Sequence, residues 1–419
     1  MTSQNLSKQN KPSFKKSSNT NLTSNQLTDA SFVQKDMTTA GIQSLQRYRD
    51  LNFGAVFKDK EPELHINALF PHENIENLRS INFPPLSLQG SKHNIAQISS
   101  LDLGGLLIEI GQSSPATSII LAHHWGISKL WNQASIRNPS NTYLKDLIED
   151  VRVGSLICSP NGEKGSNSFL EPKVNAQKVE GGYILNGVKS FASGVSGSKY
   201  AVVGAKYVEN PQSILRLSLT VELSSDTIVH NALCPVDMLR PAQNGTVTFN
   251  NTFVPDGLVS VSGSWGVWNT GNFASASHLV PFLCCAYGGI AERILEVSDG
   301  YLSSEKLGDL KLVKFEIDQK LSEMLLRVNY YDDELSATNQ SFEFWKREFK
   351  YIQEIKLGIC ENLDSIHDTV LDHRELKKKI ELSTLLKDIK ALQYMFLPSK
   401  NAIDFIHNID RITETVRVK

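Results

Sequence analysis

Hydrophobic and polar positions divide the chain into three textures. From about Ala40 to Asp150 the reading is mostly helical, and one stretch is apolar nearly all round. Ile119, Ile120, Leu121, Trp125, Ile127 and Leu130 leave little polar face, so the helix predicted from Ala116 to about Gln133 is expected to be buried. Pro115 suits its first turn, with Ser113 or Ser114 as the cap. From about Val151 to Val261, short runs rich in Val, Ile, Thr and Tyr alternate with Gly, Asn, Pro and Ser, the pattern of strands and turns. Tyr200–Val203 and Thr246–Phe249 are two such runs. In a third, Ile214–Val221, Arg216 and Ser218 alternate with Leu215, Leu217 and Leu219, the period of a half-buried strand. From about Ser275 to Lys419 the chain is helical again. His278–Glu296 reads as one long apolar helix. Phe315–Ala337 reads as an amphipathic one carrying Ile317, Leu321, Met324, Leu325 and Val328. Ser341–Asn362 and Glu375–Phe396 read as helices with charged outer faces.

Within the β region, Lys178–Glu180 leads into a turn at Gly181-Gly182, Tyr183–Leu185 restarts an extended run, and Asn186-Gly187 reads as a second turn. The order of textures predicts an α+β chain. A helical N-terminal domain spans 32–150, a central β-barrel-like domain 151–262 and a C-terminal helical bundle 263–419. Residues 1–31, rich in Ser, Asn, Thr, Gln and Lys, read as a disordered leader.

Composition narrows the function classes. With 43 Lys and Arg against 45 Asp and Glu, no overall field favours nucleic acid, and Lys377-Lys378-Lys379 reads as a solvated helix face. No apolar run reaches the roughly 20 residues needed to cross a bilayer. The best candidate, Leu279–Ala286, reads as part of a buried helix, so no membrane partner is expected. The leader lacks both the apolar core of a signal peptide and the arginines of a transit peptide. Cys158, Cys234, Cys284, Cys285 and Cys360 are odd in number, show no metal spacing and include an adjacent pair. They read as reduced, buried thiols of a cytoplasmic protein that binds no metal.

The segment Gly154–Gly194 carries the chemical signal. Gly154-Ser155-Leu156-Ile157-Cys158-Ser159 is followed by Gly165-Ser166-Asn167 and then by Lys189-Ser190-Phe191-Ala192-Ser193-Gly194. Further on stand Asp237–Phe249, with Gly245-Thr246-Val247-Thr248-Phe249 at its end, then Phe253-Val254-Pro255 and Gln319–Met324. In order and spacing these resemble the acyl-CoA dehydrogenase superfamily, and the resemblance covers most of the chain after the leader. It implies an acyl-CoA dehydrogenase-like fold and a flavin, FAD or alternatively FMN. Ser159, Phe191 and Ser193 would then contact the cofactor, with Phe191 stacked on the ring and the serines meeting its polar edges. Ser166 would lie on the substrate side, and His123 or His124, on the buried helix, near the cleft. Taken singly, each has a plainer reading: Phe191 and the histidines as core residues, Ser166 and Ser193 as turn residues.

The chain departs from the family pattern in its C-terminal third. Tyr301–Gly308 stands where an Arg-x-x-Phe-Gly segment would meet a dinucleotide, and Leu392–Pro398 replaces a Gly-Gly-x-Gly-Tyr turn. Nothing around Glu414 marks it as the carboxylate base that acyl-CoA oxidation requires. The resemblance thus implies a flavin-dependent oxidoreductase acting on an acyl-CoA-like or related small molecule, as a homodimer or homotetramer. Two alternatives stand beside it. One is a flavin monooxygenase of the same fold, similar to dibenzothiophene monooxygenase, which uses oxygen and flavin reduced by a reductase partner. The other is a non-catalytic homologue serving as a binding partner.

Overall fold

The structure, a computed structural model, describes residues 32–81, 99–164, 168–231, 238–335, 341–373 and 380–394. Among them, seven helices precede the first strand: α1 (Phe32–Lys35), α2 (Thr39–Asp50), α3 (Phe53–Asn67), α4 (His72–Ser80), α5 (Ser100–Ser113), α6 (Pro115–Arg137) and α7 (Thr142–Arg152). Eight strands follow: β1 (Leu156–Cys158), β2 (Asn175–Val179), β3 (Gly182–Ser190), β4 (Ser198–Asn210), β5 (Ser213–Glu222), β6 (Ile228–Asn231), β7 (Thr246–Pro255) and β8 (Val259–Ser264). Four helices complete the described chain: α8 (Thr270–Ser298), α9 (Ser304–Leu335), α10 (Phe342–Leu371) and α11 (Ile380–Ile389). The order helical, β, helical is the one the sequence predicts.

All the described α-helices except α7 contribute to one core, and two of them have little polar face to give to water. On α6 the run from Pro115 to Ala122 is buried, together with His124 and Trp125. Pro115 takes the first helical position and Ser114 is the cap residue. The Ser114 hydroxyl does not cap; it meets Thr117 Oγ1 at 2.8 Å, and both accept from Asn74 Nδ2. Glu61 stands beside Ser114. Burial, with the Asp388 carboxylate adding to it, pushes the Glu61 carboxyl up to about 8. The central helix, α8, is long and apolar enough to cross a bilayer by length and composition alone, yet 89% of its most apolar window is buried inside the protein. It packs on α5 at glycines: a Cβ at Gly289 would stand 2.2 Å from the Ile108 carbonyl oxygen, and one at Gly111 2.6 Å from that of Ala286. The two backbones touch there, which only glycine permits.

The sheet runs β6-β7-β3-β2-β4-β5-β8, with β1 added parallel to β4. β6 and β8 stand at its two ends, so this pairing path does not close on itself. A two-residue turn at Glu180-Gly181, with Gly181 at φ 74°, joins β2 to β3. The second expected turn, Asn186-Gly187, is not one. β3 runs straight through it, paired with β7, and the register shifts between Leu185 and Gly187. Gly187 sits at φ 137° and Asn186 bonds across to Asn251, so this Asn-Gly pair serves a bulge. On β5 the predicted alternation holds. Leu217, Leu219 and Val221 enter the sheet's own core, while Arg216, Ser218 and Thr220 point to the opposite face.

Candidate functional site

That opposite face of β5 is not turned to bulk water. With Val202 and Gly204 of β4 and Val259–Ser262 of β8, it forms the floor of a cleft of about 670 Å³. One wall is the C-terminal half of α6, from Ile127 through Leu130 and Trp131 to Arg137. The other is the start of α8, from Asn269 to Leu279. Ser159, Asn161 and Phe169 close one end, and Asn141, Leu144 and Leu147 of the α7 region lie near Leu258. The volume falls in the range of small-molecule sites, and the mix of apolar walls with hydroxyls and amides is typical of them. Among the described residues the lining holds two arginines, one histidine and no carboxylate.

Arg216 is the most unusual group in the lining. It is 8% exposed. Its Nε donates to the Phe169 carbonyl at 3.1 Å, Nη1 donates to Asn272 Oδ1 at 3.2 Å, and the guanidinium lies 5.3 Å from the centre of the Phe169 ring. None of these partners is an anion, and burial pulls the guanidinium down to about 10. Gly204 leaves the room it needs, since a Cβ there would stand 3.3 Å from Nη2. Nearby, Lys189 and Glu163 form an ion pair with both side chains 2% exposed. Glu163 also accepts from the amides of Lys173 and Val174. Desolvation, with Arg216 adding to it and Glu163 opposing, brings the Lys189 ammonium down to about 8.

Of the residues singled out from the sequence, Ser159 lines the cleft, where its Oγ accepts from Asn161 Nδ2 at 2.8 Å. Phe191 is close by but outside the lining. It is 54% exposed at φ 57°, its ring lying against Gly162. Ser193 is buried and donates to Asn244 Oδ1. It ties the end of β3 to the 238–245 segment, as do the amides of Ala192 and Gly194, bonded to the Gly245 and Ala242 carbonyls. On α6, one turn before the cleft wall, His124 is fully buried and its Nδ1 accepts from the Ile157 amide, fastening β1 to the helix. The His123 ring donates to the Ile119 carbonyl, and burial lowers its basicity. Ser166 lies outside the described residues. The four described cysteines are buried free thiols, and no cluster of metal-ligating side chains is found among the described residues.

The cleft also gathers residues that the sequence did not mark: Arg216, Asn272 and His278. His278 is fully buried, and its Nδ1 donates to the Ala274 carbonyl at 2.8 Å, which leaves Nε2 as the basic nitrogen. Arg216 carried a signal, being the one charged residue in the alternating run Ile214–Val221. Its burial depends on the packing of α8 across the strand.

No protein-family model matches the sequence, and no curated protein matches it. Solved structures match over nearly the whole length. KijD3 in complex with FMN and dTDP-3-amino-2,3,6-trideoxy-4-keto-3-methyl-D-glucose superposes with a TM-score of 0.77 at 16% identity, covering 91% of this chain and 96% of that one. Nitrososynthase from Micromonospora carbonacea var. africana gives 0.73 at 14% identity, over 91% and 99%. FMN-bound TdsC from Paenibacillus sp. A11-2, a dibenzothiophene monooxygenase, gives 0.67 at 15%, over 85% and 94%. The helical, β, helical chain therefore has the acyl-CoA dehydrogenase-like fold.

Proposed function

We propose that the protein is a flavin-dependent monooxygenase-type oxidoreductase acting on a small molecule in the cleft between α6, the sheet and α8. The observation that carries this reading is the make-up of the cleft. Dehydrogenation of an acyl-CoA needs a carboxylate to take the α-proton. The described lining offers hydroxyls, amides, His278 and two arginines instead. Oxygenation of a substrate by a reduced flavin does not need that carboxylate. The neighbours' cofactors support the same reading: KijD3 and TdsC were both solved with FMN.

The residues present fit a flavin. Ile127, Leu130 and Trp131 offer apolar surface for a flat ring, and Ser159 and Asn161 offer donors and acceptors for its polar edge. The bound flavin supplies the redox chemistry. The chain's part is to orient ring and substrate and to keep water from them. Phe191, against Gly162, and Ser193, bonded to Asn244, would complete the cofactor's surroundings where the site extends past the cleft, with Ser166 on the substrate side. A reductase that delivers reduced flavin is the expected partner, and a homodimer or homotetramer the expected assembly.

The test is a visible spectrum of the purified protein, desalted after excess FMN or FAD, followed by two assays. Retained or reductase-supplied flavin should stay oxidised when acyl-CoA is added without oxygen, and should support substrate-dependent oxygen uptake with a flavin reductase. Anaerobic bleaching by acyl-CoA would establish dehydrogenation instead. Failure to bind flavin in either redox state would leave the non-catalytic alternative.

A further inference from the structure

We propose that Arg216 and the first turn of α8 together form a phosphate site in the cleft, so that the ligand held there carries a phosphate ester. This deepens the reading above and rests on it for the identity of the cleft as the ligand site.

The argument begins with charge. A buried cation is ordinarily paired, because removing it from water is costly. Lys189 follows that rule through Glu163. Arg216 is nearly as buried, and its acceptors are a carbonyl and an amide oxygen, both neutral. Those two bonds use two of its five N–H donors, so three have no acceptor among the described residues. No carboxylate among the described lining residues competes for them.

The second observation is where the guanidinium lies. Its bond to Asn272 Oδ1 holds it at the third residue of a 29-residue helix. Asn269 caps that helix by accepting from the Asn272 amide, and the Asn269 carbonyl accepts from Phe273. The amides of Thr270 and Gly271 precede those bonds and have no acceptor within the helix. Gly271 is exposed and lines the cleft, and only Asn269 Oδ1 lies near the position its Cβ would take, at 3.5 Å. A helix start with open amides favours an anion, and a guanidinium fork beside it matches tetrahedral oxyanions in particular. At the outer rim Arg137, exposed on α6, adds a second cation on the approach. A phosphate ester would match the fork, with Gly271 of the helix start lining the same cleft, and would leave the rest of the ligand for the apolar wall of α6. The phosphate could belong to a flavin mononucleotide or to a nucleotide-linked substrate; the recognising chemistry is the same.

The test compares the full-length protein with Arg216→Gln against two pairs of probes that differ only in phosphate: FMN with riboflavin, and uridine diphosphate with uridine. Binding is followed by flavin and tryptophan fluorescence. The parent is expected to prefer the phosphorylated member of at least one pair by on the order of 10- to 100-fold. Arg216→Gln should lose that preference while binding the other member unchanged. Loss within the flavin pair assigns the phosphate to the cofactor, and loss within the uridine pair assigns it to the substrate. A parent without preference in either pair, or a preference that survives in Arg216→Gln, overturns the proposal. Riboflavin binding reports separately on the flavin reading. If the parent binds neither flavin in either redox state, that reading fails while the uridine pair still judges the phosphate site. Arg216→Lys, which keeps the charge and loses the fork, serves if the glutamine variant does not fold. A partial loss of preference is then expected, and an undiminished one overturns the proposal.

Discussion

Lys189 on β3 and Arg216 on β5 are both cations taken out of water in one sheet, but among the described residues only the first has an anion beside it. Glu163 neutralises Lys189 and is itself held by two backbone amides, so that pair is a closed structural unit. Arg216 is held in place by neutral acceptors and has no carboxylate partner among the described residues of the cleft wall. The difference separates a cation that serves the fold from one that serves a ligand, and mutation can test it.

The largest effect is expected from Glu163→Ala. It leaves Lys189 buried and unpaired, and should destabilise the protein by about 3–5 kcal/mol in urea unfolding. Replacing both partners with apolar residues should recover most of that loss. Arg216→Met should behave differently: with no ligand present its unfolding free energy should change by only about 1–2 kcal/mol, the worth of two hydrogen bonds, while phosphate-dependent binding disappears. If Arg216→Met costs as much as Glu163→Ala, the contrast collapses and Arg216 is a structural residue.

Glu61 supplies a pH-dependent comparison in the helical region. Its folded value near 8 lies above the ordinary carboxyl value of 4.5, so the folded state holds the proton more tightly. Its contribution is therefore complete below pH 4.5 and is lost as the pH rises through about 8. Glu61→Gln should flatten that part of the stability profile, as read by melting temperature across the range. An unchanged slope would show that Glu61 is ionised in the folded protein. Gly204→Ala should crowd the guanidinium without touching any charge, lowering affinity for the phosphorylated probe by roughly 3- to 10-fold. The smallest effect belongs to Phe191→Ala. An exposed ring at positive φ should alter stability by no more than about 0.5 kcal/mol. Flavin affinity equal to the parent's would count against a stacking role for it.

Much of the architecture was legible because it rests on local periodicity. The unbroken apolar surface of α6 and α8 announced buried helices, and the two-residue alternation of Ile214–Val221 placed β5 with its leucines inward. Asn186-Gly187 misled for a physical reason. The pair suits a positive-φ turn, but pairing with β7 on one side and β2 on the other keeps the strand continuous, and the glycine's freedom is used for a bulge. The cleft was legible only at Ser159. Alternation revealed that Arg216 and Ser218 share a face; which helix covers that face depends on α8, more than fifty residues later in the chain. His123 and His124 illustrate the converse. Their place on a buried helix was correct, and both rings bond to backbone atoms there, as core histidines do.

The glycine contact between α5 and α8 bears on how the chain comes off the ribosome. α5 is made more than 150 residues before the helix whose backbone it must touch, and α8 is also flanked by α9, α10 and α11, made later still. During synthesis, α8 emerges as an apolar segment whose full set of partners does not yet exist. Contacts so distant in sequence form slowly, and transiently exposed apolar surface invites aggregation. The nascent chain should therefore lean on chaperones that shield hydrophobic segments until the last helices have been translated.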